Sequence, residues 1–137
     1  NAIKDIFTSQ NRWPDIVVHR GHSYFADAAI ESLTPSAEIV FLGSCGGYNI
    51  ISQVLKYSPN AQIISSKQIG TLLVNDRLCY ALNETIRKAE DLNWKNLWNK
   101  LNSSFSKGTI AHERFQDYIP PHQNLGALLI TSYRSIL

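Results

Sequence analysis

The chain is predicted to be an α/β domain, a three-layer, mostly parallel sheet with helices on both faces. Three observations carry this. Short apolar runs rich in β-branched residues at positions 15–19, 38–43 and 61–65 alternate with single stretches of helical periodicity. The middle run, Glu38-Ile-Val-Phe-Leu-Gly43, is almost wholly apolar, as a strand covered on both faces must be. One helix between successive strands also implies right-handed crossovers, and hence parallel pairing.

Element by element, Ala2, Ile3, Ile6 and Phe7 fall at helical spacing, and Trp13-Pro14 ends that pattern because proline disfavours helix in the residue before it. Asp15-Ile-Val-Val-His19 reads as a buried strand closing at Arg20-Gly21. Phe25, Ala28, Ala29, Ile30 and Leu33 mark a crossover helix broken by Thr34-Pro35-Ser36. After the strand at 38–43, a helix from Ile50 to Tyr57 precedes Ser58-Pro59-Asn60 and a third strand, Ala61-Gln-Ile-Ile-Ser65. Leu78, Leu82 and Ile86 predict a further helix; Trp94, Leu97, Trp98, Leu101 and Phe105 predict another, whose aromatic stripe is read as core. The run Leu125-Gly-Ala-Leu-Leu-Ile-Thr131 fits an edge strand or a short helix, and strand is the expectation.

At 137 residues and 44% hydrophobic content, the chain is sized for one domain, residues 1–137, with a continuous core. Thirteen basic residues against eleven acidic ones, with no run of like charge, give no electrostatic footprint for nucleic acid. No apolar run reaches the roughly eighteen residues that a membrane-spanning helix requires, so a membrane is not an expected partner. The absence of methionine and the start at Asn1 lead to the expectation of a piece of a longer chain lacking one or two N-terminal strands. Other segments of that chain would then be partners.

In open α/β sheets, reactive groups gather beyond the carboxyl ends of the strands. Two consecutive strands here end in glycine-bearing loops, one delivering His22 in Arg20-Gly21-His22-Ser23 and the other Cys45 in Gly43-Ser44-Cys45-Gly46-Gly47. A thiol is mostly protonated at neutral pH, and an imidazole beside it takes the proton or stabilises the thiolate, making sulfur a competent attacker of a carbonyl. Gly43, Gly46 and Gly47 suit a tight nucleophile turn with room for a substrate. The backbone N–H groups of Cys45 and Ser23 are the candidate oxyanion donors. Lys67, Gln68 and Thr71, at the end of the next strand, are candidates for a substrate pocket.

The other reactive side chains read more simply. Cys79, between Leu78 and Leu82, is core packing. His19 and His22 straddle a strand-to-turn boundary without a full ligand set, so no metal is expected; His112 and His122 are read as surface residues.

Val-Val-His-Arg-Gly-His22-Ser followed by Ile-Val-Phe-Leu-Gly-Ser-Cys45-Gly-Gly resembles the paired signature of the caspase-like clan of cysteine peptidases, which includes the gingipain-, clostripain- and separase-like enzymes. In that clan a histidine closes one strand and a cysteine the next. Asn60-Ala-Gln-Ile-Ile-Ser-Ser-Lys-Gln-Ile-Gly70-Thr71 is similar to the clan's following strand, which helps form the substrate pocket; Ser23 stands where many members carry glycine. The likeness covers residues 15–76. It implies a caspase-like fold and a cysteine endopeptidase that needs no cofactor, in which His22 and Cys45 act on a peptide or protein substrate.

Two other readings remain open on the sequence. Gly43-x-Cys45-x-Gly47 also fits the nucleophile elbow of glutamine-amidotransferase-like thiol hydrolases, although these place the partner histidine after the cysteine, commonly as His-x-Glu, and this chain offers His112-Glu113. A non-catalytic caspase-like scaffold or regulatory module is the third.

Overall fold

A computed structural model describes residues 1–137. Four strands form one open sheet in the order β1-β2-β3-β4, with β1 at Ile16–His19, β2 at Ile39–Leu42, β3 at Gln62–Ser66 and β4 at Tyr118–Ile119. The first three strands run parallel, and β4 pairs antiparallel with β3. Seven helices surround the sheet: α1 Ala2–Gln10, α2 Ala26–Glu31, α3 Ile51–Tyr57, α4 Leu72–Arg87, α5 Trp94–Ser104, α6 Ile110–Phe115 and α7 Leu125–Ile136. The protein is thus an α/β fold with a mostly parallel sheet. None of its helices is long and apolar enough to cross a membrane.

The alternation of side chains along β2, buried at all four positions, divides the core in two. Ile39 and Phe41 face Val74, Leu78 and Leu82 of α4, the Trp94, Leu97, Trp98 and Leu101 face of α5, and Phe115 of α6. Val40 and Leu42 face Ile30 of α2 and Ile51, Val54 and Leu55 of α3. Helices therefore cover both faces, as the apolar run at 38–43 predicts. The aromatic stripe is core as well: the ring of Phe115 lies 5.1 Å from that of Trp98 and 5.0 Å from that of Phe105.

The C-terminal half departs from the sequence expectations. Residues 125–131 belong to helix α7, not to a strand. Asn124 decides the matter locally, because its Oδ1 accepts the Ala127 N–H at 2.9 Å and satisfies a donor that a first helical turn leaves free. The helix then docks on α3 through Ala127 and Ile130, while the Tyr48 hydroxyl accepts the Gly126 N–H at 3.2 Å. The fourth strand is instead the two-residue Tyr118–Ile119, too short to carry a periodic signal.

Leu78 is fully buried at the centre of the α4 stripe. Leu78→Ala is expected to lower unfolding free energy by about 2–5 kcal/mol, read from the midpoint of a urea melt at unchanged slope.

Candidate active site

The register of β1 on β2 sets His19 opposite Leu42, and the Gly43 N–H donates to the His19 carbonyl at 2.8 Å to carry the pairing one step further. His22 lies three residues beyond the first of these positions and Cys45 three beyond the second. Because the strands are parallel and adjacent, both loops leave the same edge of the sheet side by side. Both side chains are exposed there.

The loop after β1 is a compact turn organised by two histidines. His22 caps a short 3-10 turn at Ser23–Phe25: its Nδ1 accepts the Tyr24 N–H at 3.2 Å, and its carbonyl accepts the Phe25 N–H at 2.9 Å. The same carbonyl lies 3.2 Å from Nε2 of His19, so His19 braces the turn that carries His22. With Nδ1 accepting, the neutral His22 ring carries its proton on Nε2. Using Nδ1 as a base therefore means giving up the Tyr24 bond, which is long and exposed and worth about 1 kcal/mol or less.

The Cys45 turn is held from below. Asn75 of α4, only 2% exposed, donates from Nδ2 to the Gly43 carbonyl at 2.9 Å. A Cβ at position 43 would lie 2.7 Å from the Asn75 amide, so a side chain there would push that amide off the Gly43 carbonyl. Gly46 sits in the left-handed region at φ 64, a backbone conformation that favours glycine. Its N–H donates to the Gln68 carbonyl at 2.7 Å, which ties the far side of the turn to the loop after β3. Behind the turn, the Cα of Gly70 packs directly against the Gly43 carbonyl, and any side chain at position 70 would overlap it.

Ser23, as the first residue of its turn, and Cys45 both keep their backbone N–H groups out of the protein's own hydrogen bonds, which leaves them available to an oxyanion. The three pocket candidates separate. Thr71 caps α4, its Oγ1 accepting the Leu73 N–H at 3.4 Å, and Gln68 holds the Cys45 turn through its carbonyl. Lys67 is exposed, with Nζ 5.3 Å from the centre of the Tyr48 ring. Cys79 lies half-buried on α4, where burial raises its thiol pKa; Arg20 lowers it in part and Asp76 adds to the rise.

Sequence reasoning missed Asn75, Tyr118 and Gly70. The Tyr118 hydroxyl accepts the Thr71 N–H at 2.9 Å and donates to Asn75 Oδ1 at 2.6 Å. Burial, opposed by the Thr71 bond and reinforced by the charges that Cys45 and Cys79 would carry as thiolates, pushes the pKa of this phenol up to about 12. A signal for Asn75 existed, since it is a polar residue beside the apolar stripe Val74, Leu78, Leu82. No family model, curated protein or solved structure matches the chain.

Two outcomes follow from this geometry. Gly70→Ala is expected to cost about 3 kcal/mol or more in a urea melt, because the obstacle is backbone and not a movable side chain. The second concerns alkaline pH. An unfolded chain releases the Tyr118 proton near pH 10 and the folded one near pH 12, so the associated stability is complete below about 10 and lost as pH rises towards about 12. The advantage in urea midpoint of wild type over Tyr118→Phe should shrink across that window; a constant gap would show that the phenol is not held neutral by the fold.

Proposed function

We propose that this chain is a cysteine endopeptidase domain of caspase-like architecture, with Cys45 as nucleophile and His22 as its proton-transfer partner. The observation that carries the reading is the delivery of one imidazole and one thiol, at equal offsets, from neighbouring parallel strands to a shared sheet edge. The two unspent N–H groups and the braced glycine turn support it.

In this reading, His22 releases Tyr24 and accepts the thiol proton, and the Cys45 sulfur attacks the peptide carbonyl carbon. The oxyanion is held by the N–H groups of Ser23 and Cys45. As the C–N bond breaks, the imidazolium passes its proton to the departing amine. Water then cleaves the thioester, yielding the carboxylic acid and restoring the thiol. Tyr24 and Phe25 beside His22, Ile69 in the loop after β3 and Leu72 at the start of α4 are exposed apolar residues near these loops that would contact an extended peptide.

Iodoacetamide at neutral pH should label Cys45 well ahead of Cys79, read by peptide mass mapping. A fluorogenic peptide library varied at the residue before the scissile bond should reveal turnover that Cys45→Ala abolishes and His22→Ala reduces by about a hundredfold or more. Equal, slow labelling of both cysteines that is indifferent to His22, with no library member cleaved, would refute the assignment.

A further inference from the structure

The polar chain beneath the nucleophile turn has only one consistent set of donors and acceptors. The Gly43 carbonyl can only accept, so the Asn75 atom 2.9 Å from it is Nδ2, and Asn75 Oδ1 must face Tyr118. That oxygen can only accept, so the Tyr118 O–H donates to it at 2.6 Å, leaving the phenol oxygen to accept the Thr71 N–H at 2.9 Å. The result is a directed series from the α4 N-terminus through β4 to the end of β2, with Asn75 and Tyr118 each 2% exposed.

This series acts at one end of a very short span. Gly43 is fixed at both backbone groups, its N–H on the His19 carbonyl and its carbonyl on Asn75. Gly46 is fixed through its N–H on the Gln68 carbonyl. Only Ser44 and Cys45 lie between these two anchors, so the placement of the Cys45 sulfur and N–H is set by where the anchors sit. Neither Asn75 nor Tyr118 is needed to fill the core in this polar form, since a buried amide and phenol are favourable there only when every group is paired.

We propose that Asn75 and Tyr118 are positioning residues of the Cys45 site, holding the Gly43 carbonyl so that the thiol and the Cys45 N–H meet the same substrate carbonyl. The assignment rests on the peptidase reading above. In Asn75→Asp a carboxylate replaces the donor and faces the Gly43 carbonyl with a lone pair, so the anchor is lost with little change of volume. Tyr118→Phe removes only the hydroxyl and leaves the ring in the core.

The test measures turnover of the best fluorogenic library peptide per active site, with sites counted by stoichiometric titration with a peptidyl chloromethyl ketone, whose chloride leaves as the thiol is alkylated. Leu78→Ala, on the same helix, serves as the comparison for lost stability. Asn75→Asp should lower kcat per titrated site by about a hundredfold, and Tyr118→Phe by about tenfold, as for a small misplacement of the reacting groups. KM should stay within about twofold, and Leu78→Ala should lose sites without losing kcat per site. If both site variants lose only titratable sites, as Leu78→Ala does, the two residues are structural and the proposal is overturned. Tyr118→Phe keeps this decisive even where Asn75→Asp does not fold. A wild-type chain that cleaves no library peptide gives a different result: it overturns the peptidase reading, and this assignment with it.

Discussion

The candidate site depends on the register that sets His19 of β1 opposite Leu42 of β2. Because β2 is apolar on both faces, side-chain alternation alone does not penalise a slipped pairing as it would in a half-exposed strand. The ends of the pair hold it instead. At one end the Asp15 carbonyl accepts the N–H groups of Glu38 and Ile39 at 2.7 and 3.1 Å, and at the other the Gly43 N–H meets the His19 carbonyl. A one-residue slip would put His22 and Cys45 out of step and detach Gly43 from the strand end from which its turn starts.

Around this pair, the protein assembles the site from segments far apart in the chain. The turn after β2 is secured by α4, by the loop after β3 and, through Tyr118, by a strand more than seventy residues away. The core supplies the rigidity for this. α4 buries Val74, Leu78 and Leu82 against the sheet, and the same register of the helix directs Asn75 at the strand end. Packing and site geometry are thus two consequences of one helix docking. The loop carrying His22 is organised differently, by an exposed cap and a bracing histidine, so the imidazole is the more adjustable of the two reactive groups.

The sequence disclosed the parallel part of the fold because each of its strands is a continuous β-branched run bounded by turn residues. His22 and Cys45 stand out as candidates in the sequence because each is the first polar reactive group after such a run. It did not disclose β4, since two residues have no period, nor α7, whose Leu125, Leu128 and Leu129 point to solvent while the small Ala127 makes contact with the α3 side. Apolar content at 125–131 suits either element, and the Asn124 cap decides for helix. Asn75 and Tyr118 stayed hidden for a different reason. A buried polar contact between distant residues leaves no local pattern, and only the misfit of an amide beside an apolar stripe hinted at it. Thr71, read as a pocket residue, is also the cap of its own helix.

The close approach of Gly70 to the Gly43 carbonyl has a consequence for how this sequence can change over time. Position 70 admits no side chain while that carbonyl stays where it is; position 43 admits none while Asn75 lies over it. A substitution at position 70 becomes tolerable only after the turn has moved, and one at position 43 only after the Asn75 amide that anchors the turn has given way. Positions 43, 70 and 75 therefore form a ratchet: divergent copies of this domain should hold all three residues together or have exchanged them as a set.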